Sequence, residues 1–239
     1  MATRFGGVRL VTFNKTELVA TYVKAVIYRF VLYGAYLRSI DLSMYRTVLH
    51  ADSFDAYFQQ DPFSSLGILT GLAFYAENTA IRLGGSRLDR EWISGCRGNA
   101  LLHHARTLPR ICMGVVFGDM SSFLTFLSLV LPRLMLPWKC NDQGVVNILI
   151  WNGEFAKSVP VTVFSNLDGS TLHANTDWFF KYTNDGLIRD ATNEPYAIIH
   201  QFDRFLRLKF NVLTEARPDI LDTRPKELSE VCITYYYYY

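Results

Sequence analysis

Residues 45–63 read YRTVLHADSFDAYFQQDPF, and this stretch decides how the rest of the chain is interpreted. Its first part, Tyr45 to His50, is a β-prone run, and Asp52 and Asp55 follow it almost directly. Acidic residues at the end of a strand lie at the carboxyl edge of a sheet, where α/β folds bind ligands. Two carboxylates that leave one strand can share a hard divalent cation through their oxygens. The alternative is a capping or solvated acidic turn.

The segments on either side of this stretch alternate between strand and helix patterns. The predicted strands are Val8–Phe13, Gly67–Glu77, Ile111–Gly118, Val159–Ser165 and Tyr196–His200, and the predicted helices are Glu17–Arg38, Leu88–Cys96, Ser121–Met135, Gly144–Trp151 and Asp203–Phe210. This alternation predicts an α/β fold with a mostly parallel central sheet flanked by helices. No Pro- or Ser-rich linker divides the chain, so one domain is expected over residues 1–239. Its motifs lie within residues 8–210, and residues 233–239 form a low-complexity tail.

The overall composition narrows the classes of partner. Half of the 239 residues are apolar and the formal net charge is only +2, with scattered basic residues. Proteins that bind long nucleic acids usually show a concentrated basic surface, so no nucleic-acid partner is expected. The longest apolar run, Phe123 to Met135, is interrupted by Pro132 and Arg133 and is shorter than the ~20 residues that cross a bilayer. We therefore expect no transmembrane segment in this chain.

The four cysteines, Cys96, Cys112, Cys140 and Cys232, lie far apart and form no C-x-x-C pair. This spacing argues against a structural zinc site. Two interpretations remain. The thiols are free and buried, or Cys96 and Cys112, which flank one short segment, form a disulfide in an oxidising compartment.

Three further positions are candidates for a site. His200 ends a late β-run, where it is either a metal ligand or a buried or helix-start histidine. Asp142 lies on the first turn of a predicted helix, where capping is the alternative role. Gly114 lies inside a predicted strand, which indicates either a bulge or the close approach of a ligand to the backbone.

The order of these features resembles that of GT-A-type glycosyltransferases. It is most similar to a group of nucleotide-diphospho-sugar transferases with the motifs D-x-R-D-x-x-F-Q-x-D-P-F, C-S-G, D-Q-x-x-x-N and H-Q-x-D-R. The matching segments here are residues 52–63, 112–114, 142–147 and 200–204. The resemblance covers Thr12 to Arg204 and implies a GT-A-like nucleotide-diphospho-sugar transferase fold.

The resemblance also implies a cofactor and a donor substrate. Mn²⁺, or Mg²⁺ in its place, would bridge Asp55 to the diphosphate of a nucleotide sugar, with Asp52 and His200 as further metal ligands. Arg29 matches a family position that reaches the donor, although a helix residue paired with a surface acid is an equally good interpretation. A metal at this point neutralises the charge that develops on the leaving diphosphate.

The remaining motif residues receive roles by the same resemblance. Gly114 would line the sugar pocket, and Asp142 would face the transferred sugar or the acceptor hydroxyl. In an inverting reaction Asp142 would act as general base, whereas in a retaining one it would orient and stabilise. Gln143 is the hydrogen-bonding neighbour of Asp142. Asp203 and Arg204 are expected to fix the position of His200.

Two departures from the family pattern set the alternatives for function. First, Phe54 stands where the family has arginine. Second, the family's first strand and its base-binding loop have no counterpart ahead of Val8, so an amino-terminal strand is expected to be missing. The leading hypothesis is transfer of a sugar to a glycan or glycoprotein hydroxyl. The alternative is a catalytically silent glycosyltransferase-like module that binds a glycan or a protein partner. The resemblance implies the Golgi lumen for a eukaryotic member, and the cytoplasm otherwise.

Overall fold

The computed structural model describes residues 2–5, 8–11, 25–52, 55–66, 70–77, 80–135, 140–167, 169–174, 181–183 and 185–204. The strands are β1 (Ala2–Phe5), β2 (Val8–Val11), β3 (Thr47–Ala51), β4 (Ala56–Phe58), β5 (Leu72–Ala76), β6 (Ile111–Asp119), β7 (Val161–Phe164), β8 (Thr171–His173), β9 (Lys181–Tyr182), β10 (Ile188–Arg189) and β11 (Ile198–His200). The helices are α1 (Ala25–Arg38), α2 (Pro62–Leu66), α3 (Arg87–Gly95), α4 (Asn99–Leu102), α5 (Met120–Leu134) and α6 (Asp142–Trp151), with short 3₁₀ turns at Leu42–Met44, Leu83–Gly85 and Phe202–Arg204.

The main sheet has four strands in the order β3-β6-β5-β7. β6 pairs antiparallel with both β3 and β5, and β5 pairs parallel with β7. Eight of the nine residues of β6 are buried because both faces of the sheet are covered. One face packs against α5 and α6, and α1 in turn packs on α5.

The second sheet has three strands in the order β4-β11-β8 and lies against the other face of the main sheet. β11 pairs antiparallel with β4 and parallel with β8. Tyr75 and Phe117 of the main sheet share a buried cluster with Ile198 of β11. This packing places the end of β11 beside the end of β3.

β6 contains a β-bulge close to the candidate site. One step along β5, from Phe74 to Tyr75, corresponds to a step from Val116 to Cys112 on β6, so residues 113–115 bulge out of the ladder. The Met113 carbonyl accepts a hydrogen bond from Nε2 of His50 at 2.8 Å, and the Gly114 carbonyl accepts one from the Asp52 N–H at 2.9 Å. Such bulges change the direction of a strand and often occur beside functional sites. The structure therefore confirms the bulge interpretation of Gly114.

Side-chain caps define where α5 and α6 begin. Asp119 ends β6 and caps α5 by accepting a hydrogen bond from the Ser122 N–H at 3.0 Å. Asn141 caps α6 by accepting one from the Gly144 N–H at 2.8 Å. Each cap satisfies a backbone donor that the first turn of a helix leaves open. Asp142 therefore occupies the first position of α6, as the sequence predicted.

The prediction of an α/β fold is confirmed, but the prediction of a mostly parallel sheet is wrong. Both sheets are mixed, and three of their five strand pairings are antiparallel. The predicted helix Asp203–Phe210 is a 3₁₀ turn over Phe202–Arg204 where the structure describes it. Four predicted features lie outside the described residues: the first part of the Glu17–Arg38 helix, Phe54, residues 205–210 and the tail at 233–239.

The cysteine predictions are corrected by the structure. Cys96 forms a disulfide with Cys140, not with Cys112, and Cys112 is free and buried. Cys96 follows the last turn of α3 and Cys140 precedes the cap of α6, so the disulfide joins the end of one helix to the start of the other. The two helices also pack against each other. Cys232 lies outside the described residues. Among the helices that the structure describes, none has the length and apolar character needed to cross a membrane.

Candidate functional site

The site forms where α1, the end of β3, the bulge of β6, the start of α6 and the end of β11 meet. These elements bring together five predicted site residues from four separate segments: Arg29, Asp52, Asp55, Asp142 and His200. Gly114 lies directly under the ring of His200. The structure thus brings these predicted residues together. The side chain of Gln143, which was also predicted for the site, lies elsewhere.

Arg29 binds two carboxylates at once. One guanidinium nitrogen pairs with Oδ1 of Asp52 and the other pairs with Oδ2 of Asp142. Burial opposes the charge on Arg29, but the two carboxylates outweigh it and raise the pKa of Arg29 above its usual value. Burial likewise opposes the charged form of Asp52, yet His200 and Arg29 hold the pKa of Asp52 below its usual range. Arg29 thus pairs with one buried acid, Asp142, and one partly exposed acid, Asp52, and orients both of them.

Asp52 and Asp55 converge on one nitrogen of His200. Oδ2 of Asp52 and Oδ1 of Asp55 each lie 3.4 Å from Nε2 of His200. The side chain of His200 is 1% exposed, against 32% for Asp52 and 17% for Asp55. Within the described part of the chain, Nε2 of His200 has no hydrogen-bond partner. Burial disfavours the imidazolium, but Cys112 and the two carboxylates raise the pKa of His200 well above 6.5.

The three atoms that converge form a candidate cation site. The ligand atoms of Asp52, Asp55 and His200 all lie within 4.8 Å of one another. Two ligands that are each about 2.1 Å from an octahedral cation lie roughly 3 Å apart. The two distances to Nε2 of His200, 3.4 Å each, are close to that value. The two carboxylate oxygens suit a hard divalent cation, and the buried ring nitrogen, which has no hydrogen-bond partner in the described part of the chain, offers a third and softer ligand. The residues present therefore fit the ion that the resemblance implies.

The backbone after His200 holds Asp55 in place. Gln201 has a positive φ of 62°, uncommon for a residue other than glycine, and its N–H donates to the Asp55 carbonyl at 2.6 Å. Arg204 lies 3.9 Å from Oδ2 of Asp55 and 3.4 Å from Asp203. The motif from 200 to 204 therefore acts on the second carboxylate. The predicted role of Asp203 and Arg204 toward His200 is thus indirect, since the described ion pairs run to Asp55.

The other nitrogen of His200 faces two residues that the sequence analysis missed as site residues. Nδ1 of His200 lies 2.9 Å from Nδ1 of His173 and 3.6 Å from Sγ of Cys112. His173 ends β8 at the position paired with His200 at the end of β11. The sequence offered only a weak signal for His173, which follows a single apolar residue in the short stretch Thr171-Leu172-His173.

Gln143 points away from this cluster into a second buried polar network. Its side-chain amide donates to Glu77 at 3.0 Å and to Asp89 at 3.1 Å. Arg110 pairs with the same two acids, at 2.9 Å to Glu77 and 2.6 Å to Asp89. Burial raises the pKa of Glu77, and Arg110 offsets part of that effect. Gln143 thus connects the start of α6 to the network of Glu77, Asp89 and Arg110, whereas the neighbouring Asp142 belongs to the cluster around Arg29.

The chain matches no protein-family model, no curated protein and no solved structure. The fold and the site therefore define its class on their own: an α/β protein with two mixed sheets and a carboxylate–histidine cluster at the junction of their strand ends.

Proposed function

We propose that this chain is a metal-dependent glycosyltransferase with a GT-A-like fold, which moves a sugar from a nucleotide-diphosphate donor to a glycan or protein hydroxyl. The observation that supports it most is the convergence of Asp52, Asp55 and His200 at the end of β3. A bound Mn²⁺ or Mg²⁺ would supply a Lewis acid that stabilises the charge on a leaving diphosphate.

The chain's own residues would prepare this site for a donor. Arg29 fixes Asp52, so that Oδ2 of this carboxylate is directed at the cation position. The Gln201 N–H holds the backbone of Asp55 through its carbonyl, and Arg204 lies 3.9 Å from Oδ2 of the same residue. Preorganised charges contribute most where they need no rearrangement during the reaction.

Asp142 is the candidate that would act on the acceptor or the transferred sugar. It is 5% exposed at the start of α6, and Arg29 joins it to Asp52. In an inverting reaction its carboxylate would accept the proton of the attacking hydroxyl. The ion pair with Arg29 would orient that carboxylate relative to the cation ligands.

The same Arg29 contact supports a second candidate function. The guanidinium of Arg29 is already paired with Asp52 and Asp142 within the chain. Such internal pairing is expected for a catalytically silent glycosyltransferase-like module, whose charged groups need no donor substrate. Such a module would bind a glycan or a protein partner by another surface. The two functions differ in whether the chain binds a nucleoside diphosphate with a metal.

Calorimetric titration with a panel of nucleoside diphosphates, with Mn²⁺ and then with the metal chelated, tests the proposal. We expect one nucleotide to bind only with Mn²⁺, and Asp55→Asn to weaken that binding by at least about tenfold because a charged ligand is lost. Asp41→Asn serves as the control, since Asp41 is exposed and caps a turn around residues 42–44. Absence of metal-dependent binding in the wild-type chain would contradict the enzyme and favour the silent module.

A further inference from the structure

Behind the carboxylate pair, three buried side chains place metal-binding atoms together. Cys112, His173 and His200 are 1%, 0% and 1% exposed. Their ligand atoms all lie within 4.8 Å of one another. They come from three different strands, β6, β8 and β11, so the arrangement is produced by the packing of the two sheets.

The two separations that involve Nδ1 of His200 are close to those around one small cation. Nδ1 of His200 lies 3.6 Å from Sγ of Cys112 and 2.9 Å from Nδ1 of His173. Zinc binds thiolate at about 2.3 Å and imidazole at about 2.0–2.1 Å, so in tetrahedral geometry such ligand atoms lie roughly 3.3–3.6 Å apart. The sulfur–nitrogen distance already agrees, and the nitrogens would separate by a few tenths of an ångström.

Two independent contacts match what surrounds bound zinc ligands. A histidine that binds zinc through one nitrogen usually donates its other N–H to a carboxylate. Nε2 of His200 faces the carboxylates of Asp52 and Asp55 at 3.4 Å each. The Gly114 N–H is directed at Sγ of Cys112 at 3.4 Å, as expected where a thiolate is stabilised by a backbone donor.

We propose that Cys112 Sγ, His173 Nδ1 and His200 Nδ1 form a binding site for Zn²⁺. A thiol and two imidazoles favour such a borderline-soft ion over the hard ions that carboxylates prefer. Binding releases the thiol proton of Cys112 and requires both Nδ1 atoms to be unprotonated. This site differs from the Cys-rich structural site that the cysteine spacing argues against, because it uses only one cysteine.

The shared histidine makes zinc and a hard cation competitors. A neutral imidazole that gives Nδ1 to zinc carries its proton on Nε2, which then donates to Asp52 or Asp55. That proton removes the lone pair that the cation site at Asp52, Asp55 and His200 needs. The zinc site itself does not depend on the proposed glycosyltransferase function.

Metal content and cobalt substitution test the proposal on the purified full chain. We expect about one zinc per chain after dialysis, and a thiolate-to-cobalt charge-transfer band when Co²⁺ replaces it. Cys112→Ala and His173→Gln should each weaken zinc binding by more than about 100-fold, since losing a ligand exceeds the effect of losing an outer partner. Cys232→Ala, which removes the cysteine outside the described residues, should retain the zinc and the band. Asp55→Asn removes only an outer partner of His200 and should weaken zinc binding less than the loss of a ligand does.

Zinc-edge X-ray absorption on the wild-type chain provides a readout that does not depend on folded variants. We expect one sulfur at about 2.3 Å and nitrogens at about 2.0–2.1 Å from the metal. A chain that binds no zinc, or zinc without a sulfur ligand, would overturn the proposal and leave a hydrogen-bonded triad. No nucleotide enters these measurements, so their outcome does not depend on the proposed transferase. Because zinc competes for His200, Mn²⁺-dependent nucleotide binding is measured on the zinc-free chain, and its absence there would refute only the proposed transferase.

Discussion

Arg110→Met is expected to lower the free energy of unfolding by about 3–5 kcal/mol. Arg110 is 8% exposed and provides the positive charge between Glu77 and Asp89, which are 3% and 1% exposed. Methionine fills similar space but leaves two buried acids with only the amide of Gln143 between them. An uncompensated buried charge is far more costly than the loss of a surface pair. Chemical denaturation at neutral pH measures the effect.

Arg87→Met is the matched control. Arg87 pairs with Glu91 at 2.9 Å on the surface of α3, where the two side chains are 83% and 54% exposed. Exposed pairs of this kind contribute about 0.3–0.5 kcal/mol, so the control should remain close to the wild-type stability. Equal losses in the two variants would mean that the network around Arg110 is solvated.

A triple variant separates charge from packing. Glu77→Gln and Asp89→Asn, combined with Arg110→Met, remove the acids together with their partner. If the loss in Arg110→Met comes from unpaired buried carboxylates, the triple variant should recover part of it. No recovery would instead assign the loss to the shape of the Arg110 side chain.

The sequence predicted the residues of the site better than the direction of its strands. Asp52 directly follows β3, Asp55 directly precedes β4 and His200 ends β11. A residue at the boundary of a strand is located by the local pattern alone. Strand direction depends on which strands pair, and the all-apolar run of β6 is typical of a parallel strand buried on both faces. Here the same burial is produced by helices on one face and a second mixed sheet on the other, so an antiparallel strand acquires the same composition.

Other features were missed because they depend on long-range packing. β8 has only three residues, too few to show a period, so His173 gave a weak signal. The partner of a cysteine cannot be deduced from spacing, and Cys96 pairs across 44 positions with Cys140. Glu77, Asp89 and Arg110 resemble solvated charges in the sequence until folding brings them together.

Gly114→Ala is expected to lower the free energy of unfolding by about 3 kcal/mol and to abolish metal binding through His200. A Cβ at this position would lie 2.0 Å from Cε1, 2.2 Å from Nε2 and 2.6 Å from Nδ1 of His200. The ring cannot move freely, since His173 and Cys112 adjoin one nitrogen and Asp52 and Asp55 the other. Overpacking a well-filled core forces such groups out of their places. Denaturant unfolding and metal titration measure the two losses.

Gly34→Ala is the control, with the opposite expected sign. A Cβ at Gly34, within α1, would meet only the guanidinium of Arg38, at 3.5–3.8 Å, which is ordinary contact. Alanine in a helix interior is favoured over glycine by roughly 0.5–1 kcal/mol, so this variant should equal or exceed the wild type in stability.

A double variant tests whether the effect of Gly114→Ala passes through His200. His200→Ala removes the ring that the new methyl group would meet, so adding Gly114→Ala to it should cost little further stability. Such coupling between contacting residues is what a double-mutant cycle isolates. If the two losses instead add in full, the methyl group is excluded by something other than His200. Glycine at 114 would then be required by the bulge of β6 itself, and the close contact between strand and histidine would have no part in building the site.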